Sequence, residues 1–128
     1  MMRCPCGFGL PYVECCGPFH SGVTTAPTAE RLMRSRFSAF AVGDSAYLLR
    51  TWHPSTRPRE IELDDDVRWY RLDIDATEAG NPFDSEGIVA FTAWYRSPDG
   101  PGALEERSRF LREDGQWFYL DGVAKQSR

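Results

Sequence analysis

All four cysteines of the chain lie within its first sixteen residues, and none occurs in the rest of the 128-residue sequence. They are Cys4, Cys6, Cys15 and Cys16. Four thiolates form a complete tetrahedral shell for Zn²⁺, and they meet if the residues between them fold back. Glycine at positions 7 and 9 favours that fold because it adopts positive φ angles readily. The sequence therefore predicts one structural zinc ion per chain, with no open position for a reacting water.

Two other states of the cysteines stay open on sequence grounds. Disulfides need either a very small ring between Cys4 and Cys6 or an unusual bond between Cys15 and Cys16, unless the bridges cross between the pairs. Zinc-bound thiolates can also be oxidised with loss of the metal, so a thiol redox sensor is the second alternative. His20 is a candidate reserve ligand or a candidate hydrogen-bond donor to a ligand, but four cysteines fill the shell and favour an exposed loop histidine.

Length and composition describe an ordinary globular protein with one main core, since 41% of the residues are hydrophobic and 27% are charged. The net charge of −4 disfavours general nucleic-acid binding, which depends on neutralising phosphates. No apolar run approaches the ~20 residues of a membrane span, and the N-terminus lacks the apolar segment of a signal peptide. We therefore expect a cytoplasmic protein without membrane contacts.

Helical periodicity begins after residues 17–27, which are rich in Gly, Ser, Thr and Pro and which we interpret as a connector. Apolar residues then recur at helical spacing up to residue 41, with Thr28 as the N-cap and Gly43 as the stop. Asp44 is placed to cap a second helix that runs through Trp52 and ends before Pro54. The predicted division is a zinc-binding element with its connector over residues 1–25 and an α+β domain over residues 26–128.

Beyond a Pro- and charge-rich turn at residues 54–66, the period changes from helical to two. Residues 87–96 are apolar on both faces, as in a central strand, and the Asp114-Gly115 pair predicts a hairpin between two further strands. The fold predicted is α+β, with two N-terminal helices packed on a curved four-stranded antiparallel sheet. Alternation in the first strand predicts a buried face that carries Tyr70, Leu72, Ile74 and Ala76.

The N-terminal pattern C-x-C-G-x-G, followed by Tyr12 and by Cys-Cys-Gly at 15–17, resembles the SEC-C motif, a short zinc-binding element. The resemblance implies the same four cysteines as zinc ligands, and a protein or ribosomal partner that contacts the zinc element. Phe8 stands where the motif usually has serine, and its customary lysine-rich stretch is replaced by Leu10, Pro11, Val13 and Glu14.

The strings TWHPSTRP, after the second helix, and RFLREDGQWFYLDG, near the end, resemble the YchJ family of small uncharacterised bacterial proteins. This resemblance spans nearly the whole chain. It implies a SEC-C element joined to a nuclear transport factor 2-like domain, a cystatin-like cone in which helices and a bent sheet enclose a pocket. It implies no established activity.

The pocket implied by this resemblance is the candidate site for a small anionic ligand. His53 is its candidate acid or base, because no other side chain of the main domain has an unperturbed pKa near neutrality, although a helix-terminal histidine bonded to a carbonyl explains it as well. Asp73 and Asp75 are weaker candidates, since a solvated strand face accounts for them. The candidate pocket residues are Trp52, His53, Arg57 and Arg109. The arginines that can converge on an anion are Arg34, Arg36, Arg50, Arg57, Arg107 and Arg109.

The sequence favours a binding module over an enzyme: a protein-interaction or ligand-binding module with a structural zinc ion. The alternative is an isomerase, dehydratase or lyase that acts in the pocket with His53 as acid or base. A homodimer is a further expectation, because some proteins of the wider superfamily dimerise through this fold.

Overall fold

Three α-helices, a short 3-10 helix (Tyr12–Glu14) and a four-stranded antiparallel sheet make up the computed structural model of the protein, which describes residues 2–124. The helices are α1 (Gly17–Ser21), α2 (Ala29–Val42) and α3 (Ser45–Arg50). The strands are β1 (Arg68–Ala79), β2 (Glu86–Ser97), β3 (Gly100–Glu113) and β4 (Gln116–Ala124), in that order across the sheet. Helix α2 packs on the sheet, so the predicted α+β architecture is confirmed.

Helix α2 begins and ends where the sequence predicts. The hydroxyl of Thr28 accepts a hydrogen bond of 3.1 Å from the backbone N–H of Arg31, which satisfies one free donor of the first turn. Gly43 ends the helix with a φ of +81°. One face of the helix is buried against the sheet, and its apolar members are Ala29, Leu32, Met33, Phe37 and Ala39.

Helix α3 is shorter than predicted. Asp44 caps it, accepting 3.0 Å from the N–H of Tyr47, but the helix ends at Arg50 rather than at Trp52. The next residues pair with β4 instead: Tyr119 donates 2.8 Å to the carbonyl of Thr51, and His53 donates 2.7 Å to the carbonyl of Tyr119. Pairing with a strand edge therefore outweighs the local helical pattern at this point.

The sheet is a meander whose central strand β2 lies between β1 and β3, as the apolar run predicts. The hairpin between β3 and β4 turns at Asp114 and Gly115, which have φ angles of +52° and +77°. Such a pair of left-handed residues matches the twist of an antiparallel ribbon. This turn confirms the Asp-Gly signal.

The predicted buried face of β1 is wrong at Tyr70. The pairing with β2 shifts between Trp69 and Arg71, so Tyr70 is an extra residue in the ladder and is 48% exposed. The bulge turns Trp69 toward the core in its place, while Leu72 stays buried as predicted. A second shift follows between Ile74 and Ala76, and Ala76 is exposed.

Residues 17–27 are not simply a connector. Gly17–Ser21 form the short helix α1, which has a proline in its first turn and ends at Gly22 with a φ of +85°. Phe19 of this helix is buried in the main core. The boundary near residue 25 stays a prediction, and the last four residues of the predicted second domain, 125–128, lie outside the described residues.

Candidate metal centre and cavity

The structure brings the four predicted ligands together. The four Sγ atoms all lie within 4.8 Å of one another, and all four side chains are buried. The Sγ atoms of Cys6 and Cys15 are 3.6 Å apart, and those of Cys15 and Cys16 are 4.0 Å apart. These separations are well beyond an S–S bond of about 2.05 Å. They agree with the ~3.8 Å between sulfurs in a tetrahedron with Zn–S bonds of about 2.3 Å. The arrangement is suited to metal binding.

Backbone hydrogen bonds fold the N-terminal segment around this cluster. Cys4 donates 3.0 Å to the carbonyl of Leu10, and Tyr12 donates 2.9 Å to that of Met2. Gly7 reverses the chain with a φ of +77°. A Cβ atom at Gly17 would lie only 2.8 Å from the carbonyl oxygen of Tyr12, so no larger residue fits beside Cys16 without a shift.

The electrostatics of the cluster favour a bound cation. Thiol hydrogen bonds from Cys16 and Cys6 hold the pKa of Cys4 well below its usual range, because they stabilise the thiolate. Burial is the main cause that raises the pKa of Cys15 to about 12, and the pKa of Cys16 is also raised, chiefly because its thiol donates to Cys4. Without a cation the cluster thus resists holding four negative charges, and a divalent metal removes that repulsion.

Two side chains join this cysteine element to helix α2. Arg34 donates from Nη1 to the carbonyl oxygen of Cys6 at 2.9 Å. His20 lies between the two parts: its Nδ1 is 2.6 Å from the hydroxyl of Tyr12, and its Nε2 is 2.9 Å from the carbonyl of Ser35. The expectation of an exposed loop histidine is therefore wrong, since His20 is partly buried between hydrogen-bond partners.

A partly open cavity of about 130 Å³ lies on the other side of α2, between that helix and the sheet. Its walls are mainly aromatic, and its polar lining consists of Arg36, Glu106, Ser108 and the hydroxyl of Tyr119. The apolar residues that line it are Met33, Phe37, Phe40, Trp52, Trp69, Phe91, Ala93 and Leu104.

Of the four candidate pocket residues, only Trp52 lines the cavity. His53 lies outside it, with Nε2 2.9 Å from a carboxylate oxygen of Glu113 and Nδ1 2.7 Å from the hydroxyl of Ser55. The structure thus gives no support to His53 as an acid or base in the cavity. The imidazole ring of His53 instead packs edge to face against Phe118 of β4, with ring centres 5.9 Å apart.

Arg57 and Arg109 also lie outside the cavity. Arg57 donates 2.9 Å to the carbonyl of Trp52, and Arg109 makes two bonds of 2.7 and 2.5 Å to the carboxylate of Asp121 on the neighbouring strand. This pairing lowers the pKa of Asp121. Adjacent strands bring these opposite charges together, so Arg109 has a partner within the sheet.

The aspartates of β1 have partners on their own face of the sheet. Asp73 accepts 2.9 Å from the indole N–H of Trp94 and 3.0 Å from Arg71, and these contacts lower the pKa of Asp73. Asp75 accepts 2.7 Å from the hydroxyl of Thr92. Neither aspartate lines the cavity between α2 and the sheet, which agrees with the strand-face interpretation.

The six candidate arginines do not converge on one site. Arg34 bonds to the cysteine element, Arg50 donates 3.1 Å to the carbonyl of His20, and Arg107 pairs with Glu78. Only Arg36 lines the cavity. From the sequence, Arg36 is only one of six candidate arginines, because helical periodicity does not show which charged residue of α2 points toward the core.

Arg36 and Glu106 are the two charged groups of the cavity. Burial lowers the pKa of Arg36 to about 10, which leaves it charged at neutral pH, and burial raises the pKa of Glu106. The hydroxyls of Ser108 and Tyr119 each lie 3.4 Å from the same carboxylate oxygen of Glu106. Burial also raises the pKa of Tyr119, to about 12. The sequence does not single out Glu106, because polar and apolar residues alternate along its strand, a pattern typical of a strand with its polar face toward solvent.

These features define the class of protein: a nuclear transport factor 2-like fold that carries an N-terminal four-cysteine element. The family profile described as "YchJ, middle NTF2-like domain" matches residues 28–122. The chain belongs to the YchJ family. The resemblance stated from the sequence is therefore confirmed.

Relatives in sequence and structure agree with this assignment. A UPF0225 protein of Corynebacterium glutamicum is 58% identical over 120 residues, which cover 94% of this chain and 95% of the relative. The solution structure of a SEC-C motif containing protein from Rhodopseudomonas palustris has a TM-score of 0.85 at 30% identity, covering 98% of this chain and 100% of that one. A SEC-C motif containing protein from Psychrobacter arcticus has a TM-score of 0.77 at 27% identity, covering 98% and 84%.

Within residues 2–124, no helix is both long and apolar enough to cross a membrane. The cytoplasmic location expected from the sequence stays a prediction.

Proposed function

We propose that this protein is a ligand-binding module in which a structural zinc ion holds the N-terminal element against helix α2. The observation that carries the proposal is the cavity on the other side of α2, a mainly aromatic space of about 130 Å³ that contains a buried arginine. A concave apolar site with a few polar groups is the usual form of a small-molecule site.

The zinc ion is the metal that suits the donor set. Four thiolates at these separations match a tetrahedral site with sulfur ligands, which zinc prefers in structural centres. Cys4, Cys6, Cys15 and Cys16 would hold it, one ion per chain. A shell closed by four cysteines leaves no position for a reacting water, so the metal stabilises the fold of residues 2–21 rather than acting on a substrate.

A fragment screen by two-dimensional NMR tests ligand binding. Fragments are expected to shift the amide signals of cavity residues, and Leu104→Trp is expected to abolish those shifts because it fills the cavity from β3. Leu111→Trp is the matched control, since Leu111 is partly buried on the same strand and does not line the cavity. If no fragment shifts the cavity signals, or if both variants bind fragments equally, the proposed function is wrong.

A protein partner at the cysteine element is the second candidate. Four apolar side chains of this element are exposed: Met2, Phe8, Leu10 and Val13, the last of which is 65% exposed. Arg3 is the one basic residue within residues 2–14, and Arg31 and Arg34 of α2 lie over the Phe8 ring, with Cζ atoms 4.4 and 5.4 Å from its centre. The patch is thus apolar with a few basic residues beside it, which suits a protein surface better than the many phosphates of ribosomal RNA.

Site-specific photo-crosslinking tests this candidate. A photoreactive residue at position 13 is expected to form one defined protein adduct in cells, and the Cys15→Ser change is expected to remove it because the element unfolds. Position 123 is the control, since Val123 is an exposed apolar residue of β4. The same adduct from both positions, or an adduct that survives Cys15→Ser, would exclude the candidate.

Sedimentation of the purified protein tests the expected homodimer separately.

A further inference from the structure

Arg36 is a buried cation that makes no ion pair within the described residues, although Glu106 lines the same cavity and attracts it at longer range. The residue is 3% exposed, and no acidic oxygen lies within 4.0 Å of its guanidinium nitrogens in the part of the chain that the structure describes. Nη1 donates to the carbonyl of Leu48 and to the hydroxyl of Thr51, both at 2.7 Å. Nε and Nη2 make no hydrogen bond within residues 2–124. A buried charge left in this state is costly unless something pairs with it.

Two aromatic rings hold the guanidinium in place. Its Cζ atom lies 4.6 Å from the ring centre of Tyr119 and 5.3 Å from that of Trp52. These two rings pack edge to face, with centres 5.1 Å apart. Since Arg36 lines the cavity, its unused donors are available there in a fixed orientation, which suits the planar, two-oxygen geometry of a carboxylate.

The size and walls of the cavity limit the rest of the ligand. An apolar cavity of about 150 Å³ accommodates benzene, so about 130 Å³ that is partly open to solvent matches a single ring with one substituent. Phe37, Trp69 and Phe91 supply aromatic walls that favour a flat apolar group.

Glu106 sets the charge of the ligand. It is the one acidic side chain that lines the cavity among the described residues, and the hydroxyls of Ser108 and Tyr119 face the same carboxylate oxygen. A ligand with a second negative charge would lie close to this carboxylate and be repelled.

We propose that the cavity binds a small aromatic monocarboxylate, whose carboxylate accepts hydrogen bonds from Arg36 and whose ring lies between α2 and the sheet. This inference rests on the proposed ligand-binding function and adds the chemical class of the ligand.

Isothermal titration with benzoate and with its neutral counterpart benzamide tests the inference. Benzoate is expected to bind at least about tenfold more tightly, because its charged carboxylate offers the buried guanidinium two acceptor oxygens, whereas benzamide offers one neutral carbonyl oxygen. Arg36→Gln is expected to remove this preference. Arg71→Gln, which removes the same charge from an exposed position on β1, is expected to leave it unchanged.

A variant on the other side of the cavity keeps the test informative if Arg36→Gln fails to fold. Glu106→Gln removes the neighbouring negative charge, so it is expected to tighten benzoate binding and to leave benzamide binding unchanged. Equal binding of benzoate and benzamide would overturn the carboxylate inference while leaving the ligand-binding function standing. Failure of both probes would also overturn it, and the fragment screen then decides the proposed function on its own.

Discussion

Arg34 donates a hydrogen bond of 2.9 Å to the carbonyl oxygen of Cys6, and this contact joins the cysteine cluster to the middle of helix α2. Arg36, two residues along the same helix, lines the cavity on its other side. One helix therefore supports both the candidate metal centre and the candidate ligand site.

Removal of the metal is expected to unfold the N-terminal element and to leave the sheet folded. The element has little apolar core besides the cysteines and Tyr12, whereas the main core extends over α2 and all four strands. Hydrogen exchange before and after chelation measures this. Amides of residues 4–16 should lose protection, while those of β2 and β3 keep it. Loss of protection throughout the sheet would show that the predicted boundary near residue 25 is wrong.

Arg34→Ala is expected to lower the free energy of unfolding by about 1 to 2 kcal/mol, since it removes a charged donor from the carbonyl of Cys6. It is also expected to speed the loss of metal to a chelator. Glu30→Ala is the matched control, because it breaks the ion pair between Glu30 and Arg34 without touching Cys6. Urea unfolding and a chromophoric chelator measure the two effects. Equal effects of the two variants would show that the contact with Cys6 has no role.

Gly17→Ala is expected to weaken metal binding, because the new methyl group would lie 2.8 Å from the carbonyl oxygen of Tyr12 and would displace the backbone beside Cys16. We expect a loss of affinity of about tenfold or more, equivalent to about 1.4 kcal/mol. Ser21→Ala, at the exposed end of the same helix, should have no effect. Competition for the metal against a chelator of known affinity distinguishes these outcomes.

Glu106→Gln is expected to stabilise the protein more at pH 8 than at pH 4. Burial raises the pKa of Glu106 in the folded state above its usual value of 4.5, so folding favours the protonated form. Its contribution to stability is therefore present below pH 4.5 and is lost as the pH rises through the folded pKa. Glutamine stays neutral over the whole pH range, so the variant does not lose stability in this way as the pH rises.

The control for this pH dependence is Glu105→Gln. Glu105 precedes Glu106 on β3, is exposed, and points to the opposite face of the sheet. Urea unfolding at the two pH values should show a difference that grows with pH for Glu106→Gln alone. A difference that does not grow, or that grows equally for both variants, would show that Glu106 is not buried in the way described.

Local rules predict the elements of this fold well. Thr28, Asp44 and the Asp114-Gly115 turn act through neighbours in the sequence, and all three appear as expected. The cysteine cluster is also a local feature, because its ligands are separated by at most twelve positions.

The features that the sequence does not reveal depend on distant contacts. The bulge at Tyr70 arises from the pairing of β1 with β2, and His20 is ordered by Ser35, fifteen positions away. Arg36 is buried because Leu48 of α3 and Thr51, directly after that helix, supply acceptors, and because β4 supplies Tyr119. Periodicity within one segment cannot show such partners. The sequence therefore singles out His53 for its unperturbed pKa near neutrality and includes Arg36 only among six arginines that can converge on an anion.

The most direct measurement is the zinc content of protein purified without added metal, combined with titration of free thiols before and after chelation. One zinc ion per chain, with four thiols that react only after the metal is removed, is the result expected from the buried cluster of Cys4, Cys6, Cys15 and Cys16. Protein without metal that shows no free thiols either would mean that the cysteines form disulfides, and it would contradict the zinc-held link between the N-terminal element and helix α2.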